Sequence, residues 1–491
     1  MAGPIEHVIV LMLENRSFDH LFAYSGIPDL GGIDTSRTNP GPGGSKIAMS
    51  DGDPDVLTTD PKHEFEDVDW QIYRAPRTAA PRNITLSGFV DKSGPDAMLC
   101  VDPRHLPILT ELGRQFVVCD NWFSPMPGPT WPNRFFIHAG SSGGLANSPS
   151  SLRTIGAMIW SKLGFSFEHG TLYEALEQAQ KTWRVYHGDH FPQVCAINTM
   201  PSTFVADPNK FRSLKKLSAD MSGGDIASYT FIEPDYDILS GFRNGNSQHP
   251  SGALSAGEQL IKDVYEAVSR SPAWPTSMLF VVYDEHGGFY DQVQPQPCTP
   301  PGDSPLNIDK AANPPTPPFA FDRYGVRVPA VVVSPWLQAG TVFHDLYDHT
   351  SIIRTVYDLF DMPGQLTNRD SAAQSIASQL QNARQMAAPP ALPSVYSPPA
   401  QPDALPPQGP QHTASIDGFT RIAAQIDHAL QNYEPGMPVL ELQAIVRSTP
   451  DIRQAIQLPA SPDPNVSLEY LQRVAARIDE HRIAQGQGPV K

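Results

Sequence analysis

Val8-Ile9-Val10-Leu11-Met12-Leu13 and Leu279-Phe280-Val281-Val282-Tyr283 are unbroken apolar runs of strand length, and each passes directly into oxygen-bearing side chains: Glu14-Asn15 and Asp284-Glu285. Such a run reads as a parallel strand covered on both faces, since a strand with one wet face would alternate. Open parallel sheets place their chemistry just beyond the carboxyl ends of their strands. Glu14, Asn15, Asp284 and Glu285 fall there. Three of them are anionic, and in one crevice they would repel one another unless a cation neutralised them, so the pattern predicts a divalent metal on hard oxygen donors.

With 491 residues, 40% of them hydrophobic, the chain can bury a large core. Lys and Arg number 35 against 52 Asp and Glu, a net charge of −17 with no basic block. That excludes nucleic acid as a partner, because binding the phosphate backbone needs clustered positive charge. A monoanionic or zwitterionic small substrate, reached through a local metal, remains compatible. No apolar stretch approaches the roughly 20 residues needed to span a bilayer, so any membrane contact is expected to be transient and at the surface. The first strand begins near Ile5, leaving no room for a signal peptide, and the expected location is cytoplasmic or that of an exported mature form. Cys100, Cys119, Cys195 and Cys298 lie in no metal-ligand spacing and read as free thiols or at most one disulfide.

Strand patterns at 7–13, 115–119, 278–283 and 327–334 alternate with helical patterns at 171–181, 255–270 and 349–361, which predicts an α/β fold. The 51 prolines concentrate in two places. Residues 294–319 cannot be regular helix or central strand, so they form a semi-rigid excursion expected to border the site. Residues 388–411 read as a linker. They divide a large domain, 1–387, from a helical C-terminal appendage, 412–491, with helical spacing over 416–433, 439–447 and 468–483. Residues 31–60 form a long loop ahead of His63.

A site of carboxylates still needs a reacting group, and Gly128-Pro129-Thr130-Trp131-Pro132-Asn133-Arg134 offers one. Proline suits the first position of a helix, so Pro132 predicts a helix start with Thr130 just ahead of it. Unpaired N–H groups and the dipole at that end stabilise an alkoxide or a phosphate. Alone, Thr130 reads as a cap. Beside two acidic strand ends it reads as a nucleophile whose hydroxyl pKa a ligated metal lowers.

These residues resemble the bacterial phosphoesterase family that holds the non-haemolytic-type phospholipases C and an acid phosphatase. The shared signatures are Glu14-Asn15-Arg16-Ser17-Phe18-Asp19-His20, Gly128 to Arg134, Gln248-His249-Pro250 with Gly257-Glu258, Asp284 to Asp291, and Tyr347-Asp348-His349-Thr350-Ser351. The resemblance implies an alkaline-phosphatase-like α/β/α sandwich with a mostly parallel central sheet. It implies Thr130 as nucleophile, held on a metal (Ca, Mg, Mn or Zn) with Glu14, Asn15, Asp284 and Glu285. It also places His249 and His63 around the phosphoryl group, either able to protonate the leaving alcohol. Threonine at position 130 matches the phospholipase members, the acid phosphatase carrying serine there. The leading expectation is therefore a phospholipase C acting on phospholipids such as choline esters.

An acid phosphomonoesterase would use the same Thr130 but need another cation for the second phosphate charge, from Lys62 or Arg134. A non-catalytic phospholipid-binding module is a third reading. Asp19 and His20 are expected to cap and orient a helix; His349 to orient a loop; His286 to bind metal or to lie in the core. His187 reads more as structural than as pocket lining. Trp122, Phe123, Trp131 and Tyr290 cluster by sequence near the site, as loop packing or as an aromatic cage for a quaternary ammonium.

Overall fold

The two apolar runs are neighbours. His7–Leu13 and Ser277–Tyr283 pair in parallel with Leu13 opposite Tyr283, so Glu14 and Asp284 leave the sheet side by side. Every residue of Ser277–Tyr283 is buried, as are six of the seven in His7–Leu13. Successive strand side chains point to opposite faces, so both faces are covered. The computed structural model describes residues 4–52, 55–57, 59–149, 164–311, 313–398, 413–448 and 464–491.

The pair lies inside an eight-stranded sheet in the order Thr341–Phe343, Val117–Cys119, Ala330–Val333, Ser277–Tyr283, His7–Leu13, Tyr229–Glu233, Trp183–His187, Phe211–Ser213. All pairings are parallel except those of Ala330–Val333, which runs antiparallel to both neighbours. Helix Leu254–Ser269 packs on the central pair, and Pro107–Gln115 lies beside it. The fold is α/β with a mostly parallel sheet, as the apolar runs required. Among the described residues, four strands of this sheet escape sequence reading, as does the hairpin of Thr38–Pro40 with Lys46–Ala48 inside the 31–60 loop, because each has only three to five residues, too few to show a period.

Helices Thr413–Asn432, Val439–Ser448 and Pro464–Ala484 follow the proline-rich stretch, of which residues 399–411 lie outside the described ones. The first packs on Met200–Ala206 and on Gln193–Ala196. Its Phe419, Ile422 and Ile426 join the same buried apolar cluster as the sheet. All four cysteines are free thiols. Among the described residues no helix is long and apolar enough to cross a membrane.

Two expectations near the first strand change. The cap of helix Phe18–Phe22 is Ser17, whose Oγ accepts the His20 N–H. Asp19 instead pairs with Arg327 at 2.8 Å, while His20 is held between Leu99 O and Arg16. Serine wins the cap because Asp19 finds a buried cation and a carboxylate there needs one.

Candidate active site

Thr130 is the first residue of helix Thr130–Ala139, with Pro129 as the extended N-cap, so Pro132 sits third rather than first. The first-turn N–H groups have no partner within the helix, and proline is tolerated throughout that turn. Asn133 tightens the turn ahead of Thr130. Its Oδ1 accepts from Met126 N at 3.0 Å, and its Nδ2 donates to Gly128 O and Pro129 O at 2.9 and 3.0 Å. Thr130 Oγ1 donates to Asn15 Oδ1 at 3.3 Å.

Asn15 adopts a left-handed backbone, φ 64°, which asparagine tolerates better than most residues. Its N–H donates to Asp284 Oδ1 at 3.0 Å, and Arg16 N donates to Glu285 O at 3.0 Å. The two acidic loops lie so close that a Cβ on Gly287 would stand 2.1 Å from Asn15 O. Only glycine fits there.

Arg134, one turn beyond Thr130, reaches back under these loops. Its Nε donates to Asp284 Oδ2 at 3.0 Å, its Nη1 to Tyr236 OH at 2.9 Å and its Nη2 to Leu13 O at 3.3 Å; Glu14 Oε2 is 3.6 Å away. One guanidinium thus faces two buried carboxylates, Asp284 and Glu14. Burial and mutual repulsion push Glu14 and Asp284 above the usual carboxylate range, although Arg134 opposes the shift. Glu14 Oε1 and Glu285 Oε1 are buried and accept no hydrogen bond among the described residues.

The two histidines expected around a phosphoryl group both line the same cavity as Thr130. His63 Nδ1 donates to Pro61 O at 2.8 Å, leaving Nε2 toward Glu285 Oε1 at 3.9 Å. Burial alone would lower its pKa, but Glu285, Asp60 and Glu64 outweigh burial and push it up to about 10. His249 differs: Ser251 N donates to its Nδ1 at 3.2 Å, so that nitrogen carries no proton and Nε2 does. Phe242 stacks on its ring at 4.4 Å.

Three further histidines singled out in the sequence serve structure. His349 donates from Nε2 to Asp284 O at 2.7 Å and accepts from Trp122 Nε1; burial lowers its pKa to about 3, keeping it neutral. His286 meets Gln71 Oε1 at 2.8 Å and so orients the Glu285 loop. His187 donates to Asp189 O and packs on Phe204, away from the cavity.

The cavity, about 370 Å³, is lined by Glu14, Asn15, Thr130, His63 and His249, by Asp60, Glu64, Asp67 and Lys62, and by Trp131, Phe242 and Phe419. Of the four aromatic residues singled out in the sequence, only Trp131 is there. Trp122 stacks on Tyr347, Phe123 on Tyr324, and Tyr290 packs edge-on to Phe89, because adjacency in sequence does not choose the face a loop residue presents. Nor does any described residue of 294–319 line it; that excursion packs through Asn307 on Ser142 and Ser166, and through Phe319 on Phe65. Phe419 was not foreseen. It comes from the C-terminal helix and meets Trp131 edge-on at 5.5 Å. The one local signal is Gly418, where a Cβ would stand 2.3 Å from the Trp131 indole.

With that geometry in place, comparison with known proteins is informative. The model of the Phosphoesterase family matches residues 5–363. The chain belongs to the Phosphoesterase family. It is 33% identical over 390 residues to non-specific phospholipase C6 of Arabidopsis thaliana, covering 76% of this chain and 71% of the relative. Non-specific phospholipase C1 of the same plant is 30% identical over 476 residues, covering 88% and 82%. The non-hemolytic phospholipase C of Burkholderia pseudomallei is 25% identical over 416 residues, covering 73% and 55%. The family resemblance thus extends beyond bacteria to plants. Among solved structures, a Vibrio parahaemolyticus protein in the alkaline phosphatase superfamily has a TM-score of 0.36 at 10% identity, covering 76% of this chain and 70% of that one. This Phosphoesterase-family chain is a phosphoric ester hydrolase.

Proposed function

We propose that the protein is a phospholipase C that cleaves the glycerol–phosphate bond of a zwitterionic phospholipid through a phosphorylated Thr130. The observation that carries this reading is the make-up of one cavity. A helix-terminal hydroxyl shares it with two imidazoles, an acidic wall (Asp60, Glu64, Asp67) and an aromatic wall (Trp131, Phe242, Phe419). Acidic and aromatic groups attract a quaternary ammonium and repel a second phosphate charge. The names of the relatives point the same way.

In this mechanism Thr130 Oγ, its proton released to solvent before the attack, bonds to phosphorus, the P–O bond to the diacylglycerol breaks, and the phosphoryl head group stays on Thr130 until water displaces the Thr130 alkoxide. His63, held through Nδ1 and protonated on Nε2, gives that proton to the departing alkoxide and takes one back from the water that hydrolyses the phosphothreonine. His249, neutral with its proton on Nε2, donates a hydrogen bond to a phosphoryl oxygen. The unpaired N–H groups of the first helical turn face the same charge.

A divalent cation fits this donor set. Glu14 Oε1 and Glu285 Oε1 lack donors, Asn15 and Thr130 supply neutral oxygens, and one Arg134 leaves the carboxylates undercompensated. Among the described residues no three His, Cys, Asp or Glu side chains stand close enough together to hold an ion by themselves. Such an ion, on Glu14, Asn15, Thr130, Asp284 and Glu285, would lower the hydroxyl pKa and offset phosphoryl charge. Dialysis against a chelator is expected to abolish turnover, and titration with Ca²⁺, Mg²⁺, Mn²⁺ or Zn²⁺ to restore it. Full activity in metal-free protein would refute the metal.

The substrate test compares p-nitrophenylphosphorylcholine with p-nitrophenyl phosphate. The diester should be preferred, and Phe419→Ala should raise KM for the choline ester by about three- to tenfold, the value of one cation–π contact. The monoester KM should not move. Preference for the monoester would make the protein a phosphatase; Arg134, buried and committed to Asp284 and Tyr236, offers that activity no help.

A further inference from the structure

We propose that Lys491 is a positioning residue for the active-site cavity: its ammonium ties down the two loops that carry Gln193, Phe242 and His249 into that cavity. Lys491 Nζ lies 2.7 Å from Asp235 Oδ1, 3.5 Å from Asp237 Oδ1 and 4.0 Å from Asp189 Oδ2. These carboxylates follow two adjacent strands, Trp183–His187 and Tyr229–Glu233. Asp189 is 1% exposed, and neither of its oxygens accepts a hydrogen bond among the described residues, so Lys491 is the cation it faces.

Each carboxylate organises the loop it sits on. Asp235 Oδ1 accepts from Asp237 N at 2.9 Å, and the main chain of Asp235 exchanges hydrogen bonds with Asn246. Asp237 Oδ2 accepts both the backbone and side-chain N–H of Asn244 at 3.0 and 3.1 Å, and Asp237 O accepts from Phe242 N at 3.0 Å. Phe242 has φ 68°, a conformation costly for a bulky residue and kept only where its surroundings impose it. It then stacks on His249 and lines the cavity, as Gln193 does from the loop after Asp189.

Lys491 is itself anchored. Val490 N donates to Asp479 Oδ1 at 2.8 Å, and Val490 O accepts from Ser213 Oγ at 3.3 Å, so the ammonium is delivered from helix Pro464–Ala484. Without it three neighbouring carboxylates repel, and the loops they brace move apart. The C-terminal helices would then contribute to the cavity twice: Phe419 directly, Lys491 through the loop that bears Phe242.

The inference rests on the proposed phosphodiesterase only for the choice of substrate. In the metal-loaded 491-residue chain, Lys491→Met is expected to raise KM for p-nitrophenylphosphorylcholine by about three- to thirtyfold, the range for residues coupled to a site through packing. Lys491→Arg should stay within about twofold of wild type, since it keeps the charge. The double variant Lys491→Met with Asp235→Asn should regain much of the loss, because it removes one of the repelling charges, whereas a merely structural defect would deepen. Wild-type kinetics in Lys491→Met, or a double variant worse than the single one, would overturn the proposal. Should the wild type prefer the monoester, the same comparison is read on that ester, so the two readings fail separately.

Discussion

Thr130→Ala is expected to cut turnover of a choline phosphodiester by at least about 1,000-fold, because a covalent route loses its nucleophile and water must replace it. Beyond the cation it would help to hold, the structure gives that residue no other work to lose. Among the described residues its side chain makes one hydrogen bond, a 3.3 Å contact to Asn15, and the turn around it is held by Asn133 instead. Folding should therefore survive, and circular dichroism and the unfolding midpoint of the variant should match wild type. Thr130→Ser keeps the hydroxyl and should retain most of the activity. Acid quench during turnover, followed by peptide mass spectrometry, should find a phosphoryl adduct on Thr130 in the wild type and none in the alanine variant. Unchanged turnover in Thr130→Ala would mean a different nucleophile. Phospholipid binding without turnover in the wild type would mean a binding module.

The parts of this site that were legible in the sequence share a property: they sit at the ends of elements long enough to announce themselves. Glu14 and Asp284 follow apolar strands of seven residues, and the parallel register of those strands makes them neighbours. Thr130 was legible because Pro132 marks a helix start, and Pro132 misled only about where in the first turn it falls. What stayed hidden depends on long-range packing. Arg134 reads as a spare cation in the sequence, but only the fold shows it spent on Asp284 and Tyr236. Phe419 and Lys491 belong to helices whose periodicity says that they pack, not on what. The aromatic residues next to Thr130 carried the opposite error: Trp122 and Phe123 are close along the chain, yet they face the core.

Arg327→Met is expected to destabilise the protein by about 3–5 kcal/mol, the cost of removing one partner from a buried ionic cluster. Arg327 is fully buried between Asp19, at 2.8 Å, and Asp291, at 3.0 Å, and both carboxylates are buried too. Methionine fills the volume but leaves two anions facing each other. Burial, then Asp291, already hold the Asp19 pKa above its ordinary value, with Arg327 opposing. Without Arg327 the folded state would bind a proton that the unfolded chain releases at the usual carboxylate pKa. Stability then falls as pH rises past that range, since the folded state binds more protons than the unfolded one. The deficit of Arg327→Met against wild type should accordingly be larger at pH 8 than at pH 5 in urea titrations. A deficit independent of pH would mean that the lost hydrogen bonds to Gly31 O and Asp120 O, not charge, set the cost. Activity should suffer as well, because this cluster clamps the loop after Glu14 to the loop after Glu285: Asp19 N donates to Asp291 Oδ2, Ser17 Oγ to Tyr290 O, and Gln292 N to Asp19 Oδ2. Asp19→Asn with Asp291→Asn in the same background keeps those acceptors without the charge, and should recover stability and turnover together if the clamp is what aligns the two acidic strand ends.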